Sequence, residues 1–133
     1  MYLFINTASI EKIILALVNR QGNILARKKI KAKYQQSEKL LINIDKLIKS
    51  DRNKIKGIIV VSGPGSFTGL RIGVTTANAL SFAWNIPVVA VKQSDFGKMT
   101  EIGVKKLNQV KTIEYVMPAY GQEPNISKPA INT

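Results

Sequence analysis

Four glycines in one short segment are the residues whose spacing could do chemistry in this 133-residue chain. Residues 63–73 read Gly-Pro-Gly-Ser-Phe-Thr-Gly-Leu-Arg-Ile-Gly and lie between an apolar run and a predicted helix. Backbone amides and a helix N-terminus at such a junction can hold an anion. The candidate residues of this glycine loop are Gly63, Gly65, Ser66, Thr68, Gly69, Arg71 and Gly73.

The spacing of the glycine loop matches neither standard phosphate motif. A dinucleotide-binding fingerprint needs a glycine at Thr68, and a Walker loop needs a lysine at Leu70. Two interpretations therefore stay open. The loop could bind phosphate, or its glycines could permit tight packing and positive φ values.

The chain contains no histidine and no cysteine. This excludes imidazole and thiolate metal sites, Ser-His-Asp and Cys-His nucleophiles, and a disulfide framework. Acid–base or metal chemistry would fall to Asp45, Asp51, Asp95 and the glutamates. Together with Asn6 at the end of the first predicted strand and the short C-terminal part, the lack of both residue types predicts no catalytic residue, no metal site and no cofactor.

The positive charge is concentrated in one part of the chain. Residues 20–56 hold twelve basic and three acidic residues, which is +9 of the net +12. Such a band could neutralise the phosphates of a nucleic acid, with Lys28, Lys29 and Lys31 as candidate contacts. The alternative is a lysine-rich face that is only solvated.

The elements that must position these residues follow from the hydrophobic pattern. Strands are predicted at residues 2–7, 12–19 and 23–33, joined by tight turns into an antiparallel meander. An amphipathic helix is predicted at residues 37–50, with Ser37 as its N-cap. Its core stripe is predicted to be Leu40, Leu41, Ile44, Leu47 and Ile48.

The pattern then alternates between strand and helix. A strand at residues 57–61, a helix at 68–85 and a strand at 87–91 predict a parallel β-α-β unit. The expected fold class is therefore α/β, with a mixed five-stranded sheet and helices packed on it.

The C-terminal part is less regular. A third helix is predicted at residues 94–108, weakened by two glycines, and residues 113–117 form either a sixth strand or an extended segment. We expect one domain at residues 1–117 and an extended tail at 118–133.

A stretch without charge gives the sharpest functional prediction. No residue from Ile72 to Val91 is charged, and the helix in this stretch is apolar or small on both faces. One face can rest on the sheet, but the other needs a cover, and polar residues in the stretch argue against a membrane span. We predict that a partner subunit covers it, with these contact residues: Ile42, Ile72, Thr76, Ala79 and Phe82.

The N-terminal residues 1–5 have neither a basic region nor a cleavage site after an apolar run. We therefore expect no signal peptide and a cytoplasmic location.

These residues resemble the bacterial TsaB (YeaZ) family. The resemblance rests on residues 36–41, 44–47, 63–73, 77–80 and 86–91 and covers most of residues 1–91. The loop at residues 63–73 is far more specific than a generic glycine loop. The end of the chain, with Pro118, Tyr120, Pro124 and Pro129, is similar to the tail of the same family.

The resemblance implies an actin-like, ribonuclease-H-type ATPase fold. It also implies a non-catalytic scaffold for the TsaD transferase, which makes threonylcarbamoyladenosine on transfer RNA next to the anticodon. In that family the helix after the glycine loop and the first helix pack against the equivalent helices of TsaD or of a second TsaB. The family complex also recruits a small ATPase, TsaE.

Two departures from the family pattern shape the hypothesis. Members usually have an aspartate at the end of the first strand, where this chain has Asn6, which argues against nucleotide turnover. Residues 92–133 are too few for the family's second domain, so we expect a truncated form. Two further hypotheses are a basic tRNA-binding module and a minimal ATPase or metal-dependent nuclease.

Overall fold

The structure, a computed structural model, describes residues 1–95 and 97–117, and the expected tail at 118–133 lies outside them. A 3-10 turn, Arg52–Lys54, precedes the fourth strand. The strands are β1 (Tyr2–Asn6), β2 (Lys12–Val18), β3 (Ile24–Lys31), β4 (Gly57–Gly63) and β5 (Val88–Lys92). The helices are α1 (Gln36–Ile48), α2 (Phe67–Trp84) and α3 (Met99–Gln109).

The five strands form one sheet in the order β3-β2-β1-β4-β5. Strand β2 pairs antiparallel with both β1 and β3, whereas β4 pairs parallel with β1 and β5. This confirms the mixed sheet predicted from the pattern, in which an antiparallel meander is followed by a β-α-β unit.

Alternation along the strands divides the core between the two faces of the sheet. Leu3 and Ile5 of β1 lie on the face that α1 and α2 cover, together with Val74 of α2. Phe4 belongs to the cluster on the other face, where Val104 of α3 packs. Helix α3 packs mainly against β4 and β5, so it covers that face unevenly.

Helix α1 begins differently from the prediction. Its N-cap is Gln35, without a side-chain cap hydrogen bond, so the expected Ser37 cap is wrong. The start of the helix is fixed by a tertiary contact instead, because buried Gln36 donates from Nε2 to the carbonyl oxygens of Ser9 and Ile10 at 3.0 and 3.1 Å.

Helix α3 begins at Met99 instead of residue 94, and Gly97 in the preceding turn has a φ of 81°. Gly103 does not break the helix, because it lies against β4. A Cβ there would stand 2.5 Å from Cγ2 of buried Ile59.

Residues 113–117 form no strand and have no regular secondary structure. Asn78 of α2 holds this segment with two hydrogen bonds. Its Nδ2 donates to the carbonyl oxygen of Val116, and the Val116 amide donates to its Oδ1, both at 2.9 Å.

Within the described parts of the chain, no helix is both long and apolar enough to cross a membrane.

Candidate functional site

Helix α2 rests on the sheet by one face only. Leu70, Val74 and Ala77 are buried beneath it. The opposite face contains Phe82, which is 74% exposed, beside exposed Ala79. Arg71 is the one charged residue of α2, and this outer face combines the exposed apolar side chains with Arg71 and with exposed Thr75.

Helix α1 extends the same surface. Leu41 was predicted to lie in the core stripe, but it is 55% exposed, so that prediction is wrong. The buried residues of α1 follow one another at intervals of four, and Leu41 lies outside this stripe, which consists of Gln36, Leu40, Ile44 and Ile48. Leu41 instead faces the groove between α1 and α2.

That groove has a volume of about 390 Å³. Small and β-branched side chains make up most of its walls, and Arg71 stands at one of them. Its lining residues are Ser37, Leu41, Thr68, Arg71, Ile72, Thr75 and Thr76. Threonine and isoleucine at close helix spacing give a shallow surface into which side chains of another helix can pack.

The predicted contact residues divide into three positions. Ile72 and Thr76 line the groove. Ala79 and Phe82 continue the exposed face further along α2. Ile42 is 57% exposed but stands about 100° around α1 from Leu41, outside the groove lining. Two of the five predicted residues therefore line the groove, two lie further along α2, and Ile42 lies outside both sets.

The glycine loop fixes where this face points. Ser66 caps α2, because its Oγ accepts from the Gly69 amide at 3.1 Å, and its own amide donates to the Ala8 carbonyl at 2.8 Å. Gly63 has a φ of 145°, a region that favours glycine. Thr68 and Arg71 are exposed at the start of the helix.

Three of the four glycines lie in close contact with the chain that follows β1. A Cβ at Gly69 would stand 2.3 Å from the Thr7 carbonyl oxygen, and one at Gly73 would stand 2.1 Å from Thr7 Oγ1. A Cβ at Gly65 would stand 2.7 Å from Ala8. Of the two interpretations that the sequence left open, the structure favours tight packing.

The end of β1 does not fit a phosphate or metal site of the kind that the actin-like fold implies. Asn6 donates from Nδ2 to Gln93 Oε1 at 3.1 Å, and its Oδ1 accepts from the Ala8 amide at 3.0 Å. Both polar atoms of this neutral amide are engaged. Among the described residues no group of three or more Asp and Glu side chains could hold a metal ion.

The basic band is split by strand alternation. Lys28 pairs with Leu15, whose side chain belongs to the core beneath α1 and α2. Lys29 pairs with Ile14 and Lys31 with Lys12, on the opposite face. The three predicted contacts with nucleic acid therefore do not share a surface. The period-two pattern of β3 was the sequence signal that could have separated them.

Sequence reasoning missed two features of the site. Leu41 could have been assigned to the groove only once the orientation of α1 against α2 was known. The contact between Asn78 and Val116 joins residues 38 positions apart and leaves no local sequence signal.

Comparisons with known proteins give a consistent result. Residues 23–96, which are 74 of the 133, match the family model described as TsaD, tRNA N6-adenosine threonylcarbamoyltransferase. The chain is 56% identical over 34 residues to the tRNA threonylcarbamoyladenosine biosynthesis protein TsaB of Bacillus subtilis (strain 168). These 34 residues are 26% of this chain and 15% of that protein.

A second relative from the same organism is the tRNA N6-adenosine threonylcarbamoyltransferase, 57% identical over 37 residues, or 28% of this chain and 11% of that protein. Among solved structures, YeaZ from Pseudomonas aeruginosa superimposes with a TM-score of 0.59 and 27% identity, over 69% of this chain and 44% of that one.

The superposition confirms the expected ribonuclease-H-like, actin-like fold. The chain spans less than half the length of this solved relative, and the matched segments are smaller shares of the two curated ones.

Proposed function

We propose that this chain, which belongs to the TsaB (YeaZ) family, is a subunit of the complex that installs N6-threonylcarbamoyladenosine on transfer RNA. Its residues 23–96 also match the TsaD family model. In this proposal it binds a TsaD-type transferase through the outer face of α1 and α2 and carries no catalysis of its own. The observation that carries the proposal is Phe82, a phenylalanine 74% exposed on a helix with one charged residue.

The chemistry of this face is that of an interface core. Aromatic residues are enriched and charged residues depleted at the centres of protein–protein interfaces. Burying exposed apolar surface contributes about 25 cal/mol per Å². Phe82, Ala79 and Ile72 would supply such surface, and the groove beside Leu41 would receive side chains from the partner.

The choice of partner is supported by the similarity of this chain to both curated relatives. This chain is 56% identical to a TsaB over 34 residues and 57% identical to a transferase over 37 residues. Two related domains can pair through equivalent surfaces, as identical domains do in an isologous dimer. A TsaD-type transferase is therefore the proposed partner, and a second copy of this chain would use the same face.

The absence of catalysis is supported by the residues at the end of β1. Asn6 is engaged on both amide atoms, and the chain has no histidine for a metal or for proton transfer. This chain would contribute to the reaction by stabilising and orienting the transferase. A TsaE-type ATPase would join the assembled complex.

Co-purification with the TsaD-type transferase of the same organism tests the proposal. We expect the wild-type chain to form a stable complex and Phe82→Asp to lose it. Leu25→Asp is the matched control, because Leu25 is 57% exposed on the edge strand β3 and the charge change is identical. A complex that survives Phe82→Asp, or one lost equally in both variants, rejects this face.

Light scattering after size exclusion gives the stoichiometry. A heterodimer with the transferase supports the proposal. If the chain forms a homodimer instead and Phe82→Asp is a monomer, the homodimer uses the same face. Absence of any complex with the transferase rejects the proposed function.

A further inference from the structure

A second surface, on the opposite side of the sheet from α1 and α2, concentrates positive charge. In the register of β2 and β3, Lys12 lies opposite Lys31, Ile14 opposite Lys29, and Ala16 opposite Arg27. Directly paired residues share a face of the sheet. This surface, called the basic face below, consists of Lys12, Arg27, Lys29 and Lys31.

The basic face borders a groove of about 500 Å³. Its floor includes Phe4, Ile14 and Ala16, and Lys12, Arg27 and Lys29 stand around it. The opposite wall comes from the turn before α3 and the first turn of that helix, where Gln93 Oε1 accepts from Asn6 Nδ2 and Thr100 Oγ1 donates to the Gly22 carbonyl oxygen. Helix α3 packs mainly on β4 and β5, so among the residues that the structure describes it does not cover the half of the face on which the groove lies.

In the part of the chain that the structure describes, no acidic side chain compensates the cations of the basic face. No aspartate or glutamate lines the groove among the described residues. Within those residues the one ion pair joins Lys54 to Asp51 at 3.5 Å, outside the basic face. Like charges directly opposite on neighbouring strands are destabilising, so the pairing of Lys12 with Lys31 has an electrostatic cost that a bound anion would offset.

The length of the basic face indicates the kind of anion. From Arg27 to Lys31 the strand advances four residues, about 13 Å at the rise of a β-strand. A single phosphate is too short to contact charges along this length, whereas a chain of phosphodiesters presents repeated charges. Arg27 can also hold phosphate oxygens with two parallel hydrogen bonds.

We propose that the groove and its basic face bind the backbone of an RNA strand. The identity of that RNA as transfer RNA rests on the proposed function. The phosphates would follow β3 along Arg27, Lys29 and Lys31, and the sugars would lie over the apolar floor. Phe4 is 4% exposed and no other aromatic ring lines the groove in the described chain, so contact is electrostatic and independent of base sequence.

The test measures binding of a fluorescent transfer-RNA transcript to the full 133-residue chain by anisotropy, between about 50 and 200 mM salt. We expect affinity to fall steeply with salt, with a logarithmic slope of about −3 for three or four phosphate contacts. The double variant Lys29→Glu with Lys31→Glu should lose at least about tenfold in affinity and reduce the slope by about 2.

The matched control is Lys28→Glu with Lys46→Glu, which makes the same change in net charge on exposed or half-exposed residues away from the basic face. We expect this control to lose less than about threefold, because only the long-range field changes. Equal losses in the two double variants, or salt-independent binding, overturn the proposal. Lys29→Gln with Lys31→Gln repeats the test with smaller perturbation of the fold.

Competition and co-purification distinguish a bound RNA strand from smaller anions and from the transferase interface. A nucleoside triphosphate or an acidic peptide that binds as tightly as the RNA contradicts a site built for a chain of phosphates. Co-purification with the transferase should be unchanged by Lys29→Glu with Lys31→Glu. If the chain binds RNA but forms no complex with the transferase, only the proposed function is rejected. If it binds the transferase but not RNA, only the proposal that the groove binds RNA is rejected.

Discussion

Thr7 donates a hydrogen bond of 2.6 Å from Oγ1 to the carbonyl oxygen of Gly69, which joins the chain after β1 to the first turn of α2. Both residues are buried. Because α2 carries the apolar face proposed to bind the transferase, the orientation of that face is set by a contact with the first strand. The glycines of the loop are what allow the two backbones to approach so closely.

Gly73→Ala should therefore destabilise the protein. The added Cβ would stand 2.1 Å from Thr7 Oγ1, although alanine favours the helix interior by about 1 kcal/mol. We expect a net loss of about 1–3 kcal/mol from overpacking, measured as a lower midpoint of urea unfolding.

Thr7→Ala supplies the control, since it removes the atom that the new Cβ would meet. The double variant should be less destabilised than the sum of the two single variants. Additive losses would show that the contact between Thr7 and Gly73 does not limit the packing.

Asn78→Ala should release residues 113–117, which follow α3. The variant deprives the amide and the carbonyl of Val116 of their partners, and Val116 is 9% exposed. We expect faster hydrogen exchange at the Val116 amide, with a loss of about 1 kcal/mol in global stability. Asn108→Ala, at an exposed position of α3, should leave the exchange unchanged.

Gly103→Ala tests the contact between α3 and β4. The new Cβ would stand 2.5 Å from Ile59 Cγ2, and Ile59 is fully buried. We expect a loss of about 1–3 kcal/mol in unfolding free energy despite the better helix propensity of alanine. Lys105→Ala, an exposed change on the same helix, should have little effect, and a Gly103→Ala variant as stable as wild type would contradict the close approach.

Arg52→Gln should alter the environment of the sole tryptophan of the chain. The guanidinium carbon of Arg52 lies 4.2 Å from the centroid of the Trp84 ring, a distance typical of a cation–π contact. We expect a change in tryptophan emission and a loss of about 0.5–1 kcal/mol in stability. Arg20→Gln is the control, and an identical emission spectrum in both variants would show that the contact is absent in solution.

The family and the order of the elements could be predicted from the sequence. Residues 63–73 indicated the TsaB family, which the comparisons confirm, and the change from period two to period 3.6 after residue 36 located the first helix. Such patterns are local, because side-chain periodicity depends only on the geometry of the element that carries it. The lack of charge from Ile72 to Val91 likewise identified the unusual helix before its surroundings were known.

Errors arose where a distant residue decides local structure. The start of α1 is set by Gln36 reaching the carbonyls of Ser9 and Ile10, and no N-cap rule contains that contact. Leu41 has the spacing of a core residue, yet its exposure depends on how far α2 stands from α1.

The sequence by itself determined that the chain is basic, that it lacks histidine and cysteine, and that its second helix is almost without charge. Only the tertiary structure decided which surfaces those properties form. Pairing of β2 with β3 placed Lys12 beside Lys31, and the packing of α1 and α2 on one face of the sheet left Lys29 and Lys31 on the other. The physical reason is that composition is a sum over residues, whereas a surface depends on strand register and helix packing, which are set by contacts between residues far apart in the chain.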